Sequence, residues 1–210
     1  MKFNINITTL KPIQVMICSI ILALVLAGCG GGEPDPGDTV VFPQSVTSLN
    51  GTISVGYPNG WVTQIGEEQF VLANSDAALT IADIRTLTAD QIYGTISVIP
   101  NTSLGGLDLS AESTPRQFLD AILSRGGGPA GARTNIDNRQ EFRMGGHDAI
   151  ITRGTIENND IRYGSIFALI KYSGAVVLLN FNTAADATEN YVDVVEEIAR
   201  SVIYPATATP

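Results

Sequence analysis

Between Thr52 and Tyr57 polar and apolar residues alternate, with Ile53, Val55 and Tyr57 on one side of an extended chain. Alternation of period two marks a half-buried strand. Pro58-Asn59-Gly60 ends it with residues suited to a turn. Trp61–Ile65 and Gln69–Ala73 read as a hairpin across Gly66-Glu67-Glu68, and Tyr93–Ile99 as a strand closed by Pro100-Asn101. Over Asn74–Asp90, Leu79, Ile81 and Ile84 fit either a strand or irregular chain. Four further strands are expected at Gln140–Met144, His147–Ile156, Ile161–Lys171 and Ala175–Asn182. Short turns at Gly145-Gly146, Asn158-Asn159-Asp160 and Ser173-Gly174 join them, the layout of an antiparallel meander.

The period lengthens to that of a helix in two places. Thr114-Pro115-Arg116-Gln117 supplies a cap, a proline at the first helical position and a Gln three residues after the cap. Phe118, Leu119, Ile122 and Leu123 then share one face, and Gly126-Gly127-Gly128 stops the helix. Near the C-terminus Tyr191, Val194, Val195, Ile198, Ala199 and Val202 recur at helical spacing, with Asp193, Glu196, Glu197 and Arg200 opposite. Such a stripe predicts a helix laid on a sheet. No internal repeat is visible.

Ahead of these elements an apolar run from Ile13 to Ala27 follows Lys2 and Lys11. It is short for a membrane span and has the layout of a secretion signal. Its end, Leu26-Ala27-Gly28-Cys29, resembles the lipobox of bacterial lipoproteins. The resemblance implies that the Cys29 thiol is joined to a diacylglycerol and that cleavage leaves Cys29 as the first mature residue. Gly30 to about Ser48 is rich in Gly, Pro and Asp and reads as a tether, with Val40, Val41 and Phe42 as an apolar interruption able to dock as a short edge strand. The expected organisation is a signal at 1–28, the lipidated Cys and tether at 29–48, one domain at 49–204 and a tail at 205–210. Removal of the signal leaves 182 of the 210 residues, enough for a single well-packed domain.

Loss of Lys2 and Lys11 with the signal takes the formal charge from −9 to −11. An acidic body repels phosphate backbones and anionic lipid heads, which argues against nucleic acid and leaves membrane attachment to the acyl chains. Cys18 departs with the signal and Cys29 is blocked, so neither a disulfide nor a thiol site is expected.

Asn50-Gly51-Thr52-Ile53-Ser54-Val55-Gly56-Tyr57-Pro58-Asn59-Gly60-Trp61 resembles the opening strand and turn of PsbP-like proteins, a grouping that includes PsbP and the DcrB-like and LpqN-like lipoproteins. The resemblance spans about Leu49 to Tyr204. It implies an α+β fold, an α/β/α sandwich on a twisted antiparallel sheet, usually with no catalytic site; no cofactor is expected. Tyr57, Pro58, Gly60 and Trp61 are its structural residues. In physical terms Pro58 fixes φ and Gly60 admits φ > 0, which would set Tyr57 and Trp61 on neighbouring strands as core aromatics, with a Trp61 open to a ligand as the alternative.

His147 is the only histidine. Ser165 or Ser173 would have to serve it as nucleophile, but no Gly-x-Ser-x-Gly elbow occurs, and a half-exposed histidine at a hairpin start is the simpler reading. Asp148, Glu157 and Asp160 lack metal-ligand spacing. Gly126 to Gly131 matches Gly-x-Gly-x-x-Gly but follows a helix, so it cannot aim amides from a helix start at a phosphate. Arg133, Arg139, Arg143, Arg153 and Arg162 crowd one stretch. Alternate residues share a strand face, so Arg139, Arg143, Arg153 and Arg162 are the candidates for a cationic strip that binds a protein partner.

The expected function is therefore a lipid-anchored, extracytoplasmic, non-enzymatic domain that binds a protein partner or assists an envelope complex. A small-ligand or ion-binding lipoprotein linked to transport is the alternative, and a hydrolase a distant one. Replacing the nucleophilic thiol tests the anchor: Cys29→Ser is expected to yield an unprocessed precursor that incorporates no labelled fatty acid. A processed, acylated mutant would overturn the lipobox reading.

Overall fold

The computed structural model describes residues 41–67, 69–81, 83–104, 112–124, 133–158 and 161–204. The signal at 1–28, the tether as far as residue 40, the glycine loop at 126–131 and the tail at 205–210 lie outside these residues.

Strands β1 (Gln44–Thr47) and β2 (Ser54–Tyr57) pair antiparallel as a two-stranded sheet. Seven strands form the main sheet: β3 (Val62–Ile65), β4 (Gln69–Ala73), β5 (Ile92–Pro100), β6 (Arg133–Met144), β7 (His147–Asn158), β8 (Ile161–Lys171) and β9 (Ala175–Ala184). Their spatial order is β3-β4-β5-β9-β8-β7-β6, antiparallel at every junction. The expected meander is the β6-to-β9 half. Helix α1 (Asp76–Leu79) and a 3-10 turn at Ile84–Thr86 occupy the stretch left open between strand and irregular chain.

Helix α2 (Pro115–Ser124) starts as its sequence predicts. The Thr114 hydroxyl accepts from the Gln117 N–H at 3.3 Å, and the Gln117 side chain accepts from the Thr114 N–H at 2.8 Å. This reciprocal box satisfies two of the donors a helix start leaves open. Helix α3 (Val192–Arg200) is the C-terminal stripe.

The helices take opposite faces of the sheet. Ile151, Ile166, Ala168, Ile170, Val177, Leu179 and Phe181 meet Val195, Ile198 and Ala199 from α3 and Val202 just beyond it. Ile150, Ile156, Tyr163, Phe167, Leu169 and Val176 meet Phe118 and Leu119 from α2. The α/β/α sandwich follows from β8, whose residues from Tyr163 to Ile170 are all buried and leave both faces apolar.

Three expectations change. The tether span contains β1, and Phe42 packs on the α3-side core, so the body begins before residue 49. Tyr57 and Trp61 do not lie on paired strands: Tyr57 pairs with Gln44, and Trp61 precedes β3 in the other sheet. The turn between them is tight, with Gly60 at φ +82° and the Trp61 N–H donating to the Pro58 carbonyl at 3.3 Å. Both aromatics still reach one core, Trp61 edge-on to Phe181 at 6.2 Å. Finally, β6 starts at Arg133, seven residues before its expected start, because its N-terminal half carries no apolar alternation to read.

The C-terminus is clasped to β2. Ser54 and Ile203 exchange main-chain hydrogen bonds of 2.9 and 2.8 Å. The Ser201 hydroxyl accepts from the Gly56 N–H at 3.0 Å. Tyr172, at 5 % exposure, lies between His147 at 4.3 Å and Tyr204 at 5.0 Å, measured between ring centroids.

Ile198 is fully buried, so Ile198→Asp places an unpaired charge in the core and is expected to remove about 4 kcal/mol or more. A melting temperature equal to wild type would show that α3 does not cover the sheet. Burial also pushes the Tyr172 phenol up to about 12. Its neutral form is favoured in the fold, so its contribution is complete below pH ~10, the unfolded value, and is lost as pH rises through the folded one. Tyr93, Tyr163 and Tyr191 shift in the same direction. The quantity to measure is therefore the difference between wild type and Tyr172→Phe in urea: about 1–2 kcal/mol less alkaline loss for the variant by pH ~11.

Candidate functional site

The four candidate arginines each meet a carboxylate. Arg139 pairs with Asp120 of α2 at 2.7 Å, Arg143 with Asp148 at 3.2 Å, Arg153 with Glu189 at 2.6 Å and Arg162 with Glu157 at 3.1 Å. They do not form one strip. Arg143 stands opposite Asp148 in the β6–β7 register, between Phe142 and Met144, which turn to the α3-side core. Arg143 therefore points to the α2 side, as does Arg139 through Asp120. Arg153 shares its side with Ile151, and Arg162 with Ile166, both on the α3 face. A β-bulge between Asp137 and Gln140 adds to the division by shifting the register within β6.

What the structure assembles instead is a band of mixed charge on the α2 side. Arg116 pairs with Glu141 at 2.8 Å, next to the Arg139–Asp120 and Arg143–Asp148 pairs. These side chains range from 29 % to 72 % exposed, so each pair contributes at most about 1 kcal/mol to folding. Arg116, Asp120 and Glu141 were not singled out from sequence. The available signal was the four-residue spacing of Arg116 and Asp120 on the polar side of α2.

Two clefts flank the band. One of about 320 Å³ lies between the start of α2 and the β6–β7 hairpin, lined by Thr114, Pro115, Glu141, Phe142, Arg143 and Asp148 among others. Another of about 170 Å³ sits at the bulge, between Arg139, Gln140, Arg153 and Val192.

His147 and Ser165 lie on opposite faces. His147 stacks on Tyr172 in the α3-side core, whereas the fully buried Ser165 hydroxyl donates to Asn182 Oδ1 at 2.9 Å. Ser173 is in the exposed turn after β8, and no hydrogen bond among the described residues joins it to the imidazole. Among the described residues, no group of three or more His, Cys, Asp or Glu side chains is placed to hold a metal.

No family model and no curated protein matches the chain. Similar solved structures include a cyanobacterial PsbP from Synechocystis, with 14% identity, 84% of this chain and 98% of that one covered, and a TM-score of 0.48. LpqN of Mycobacterium tuberculosis, described as involved in cell envelope biogenesis, shares 17% identity over 82% of this chain and 88% of its own, at a TM-score of 0.43. A protein of Bacteroides thetaiotaomicron has 14% identity and a TM-score of 0.48; 79% of this chain is covered, and it spans about half (49%) of that one. PsbP and LpqN carry the names of the grouping that Asn50–Trp61 resembles.

Proposed function

We propose that this chain is a lipid-anchored, extracytoplasmic domain of PsbP-like type, without a catalytic role, that binds a protein partner or assists an envelope complex. The observation that carries the reading is the exposed band of arginine–carboxylate pairs along α2, β6 and β7. Guanidinium groups already oriented beside acids can exchange one carboxylate for another with little loss, and they offer bidentate contacts to a partner. Leu26-Ala27-Gly28-Cys29 supports the anchor, and LpqN's description as involved in cell envelope biogenesis accords with an envelope role. The small-ligand alternative has the 320 Å³ cleft in its favour, at the low end of the range for ligand sites.

Complementation of a deletion strain tests the proposal, with circular dichroism as the check on folding. Arg139→Glu with Arg143→Glu, both on the α2 side, is expected to abolish complementation, while His147→Ala complements fully. Loss of function from His147→Ala alone would overturn the non-enzymatic reading. Full function after reversal of Arg139, Arg143, Arg153 and Arg162 together would remove these arginines as the contact.

A further inference from the structure

The two edges of the main sheet differ. Edge strand β3 has four residues, and the Leu49 N–H already donates to the carbonyl of Gly66 beside it. Edge strand β6 has twelve residues. None of the turn, loop or cap main-chain hydrogen bonds of the described residues reaches 139–143.

The β6–β7 turn sets which main-chain groups face outward. Gly145 and Gly146 both have positive φ, +53° and +86°, as a two-residue type I′ hairpin requires. Met144 and His147 are then the hydrogen-bonded pair that closes it. Alternation turns the N–H and C=O of Met144, Phe142 and Gln140 toward β7, and those of Glu141 and Arg143 away from the sheet. The bulge between Asp137 and Gln140 ends this regular edge.

We infer that a second copy of this chain pairs here, β6 against β6, antiparallel about a two-fold axis through Phe142. In that register Glu141 lies opposite Arg143 of the partner subunit, and Arg143 opposite Glu141 of the partner subunit. These residues hold the outward main-chain groups, so each pair exchanges two N–H···O=C bonds. Their side chains share the α2 side, so opposite charges meet across the junction. Moving the axis by one residue sets Glu141 against Glu141 or Arg143 against Arg143, which charge repulsion opposes. The present partners do not prevent the exchange: Glu141 and Arg143 side chains are 55 % and 72 % exposed in their pairs with Arg116 and Asp148. An edge with no strand partner among the described residues and with this pattern is self-complementary, the property a two-fold interface requires.

Glu141 and Arg143 also belong to the band proposed as the partner contact, and cross-linking tells a second copy from another protein. Two residues 142 on the axis form a non-hydrogen-bonded pair, with Cα atoms about 4.5 Å apart, within disulfide range. Phe142→Cys in the full-length chain, oxidised mildly in membranes of an expressing bacterium, is expected to give a disulfide-linked dimer. The wild-type chain and Thr63→Cys, on the opposite edge strand β3, are expected to give none. Adding Arg143→Glu should lower the yield about tenfold, and adding Glu141→Arg to that variant should restore it. A yield no greater than that of Thr63→Cys, no response to Arg143→Glu, no restoration, or a cross-link to another protein would overturn the inference. The Phe142 ring lies 4.7 Å from the Arg200 guanidinium, so its removal could disturb the fold. Should circular dichroism of Phe142→Cys depart from wild type, light scattering of the ring-intact full-length chain in detergent decides. A two-copy mass for wild type and a one-copy mass for Arg143→Glu support the pairing, and a one-copy wild type overturns it.

Discussion

Strand β8 is buried without interruption from Tyr163 to Ile170, and the architecture answers to that fact. A strand apolar on one side needs one cover, while a strand apolar on both sides needs two. Its even-numbered residues Ile166, Ala168 and Ile170 call for α3, and its odd-numbered residues Phe167 and Leu169 call for α2. Ser165 is the polar exception, and its hydrogen bond to Asn182 on β9 satisfies it within the sheet. The covers arrive from separate parts of the chain. Helix α2 is inserted in the long connection between β5 and β6, and α3 follows the last strand.

Where a residue's neighbours in sequence determine its environment, the fold was legible in the sequence. The Thr114–Gln117 box, the glycine pair at 145–146 and the apolar stripe of α3 are local, and each appears where its residue types require. Two features depended on chain pairing over longer distances. The first half of β6 is polar at nearly every position, so no alternation announces it; it is extended because β7 pairs with it. Tyr57 and Trp61 flank one turn, yet they enter different sheets because β1 and the C-terminal segment, not β3, are the neighbours of β2.

The arginines show the same limit at the level of the site. Their crowding in sequence predicted a strip, but a face is set by strand parity and by register, and the bulge in β6 alters both. Arg139 and Arg143 fall on the α2 side, and Arg153 and Arg162 on the other. Each lies beside an acid. The surface is thus patterned at the scale of single ion pairs, not as a patch of one sign. Such patterning favours a partner that matches its sequence of charges over a generic polyanion.

The clasp between β2 and the C-terminal segment has a mechanical consequence. The chain enters the body through Phe42 and β1, whose only strand partner among the described residues is β2, and β2 is held on its other side by Ile203 and Ser201. A pull on the chain ahead of Val41 therefore loads the β1–β2 ladder from its Gln44–Tyr57 end, one rung after another. The bonds then do not share the load, and what resists is the packing of Phe42 and Val46 on the α3-side core. Peeling of β1 would release Gln44–Thr47 while the seven-stranded sheet and helices α2 and α3 stayed intact. Were the chain held ahead of residue 41, the two-stranded sheet would be the first part of the body to take the load.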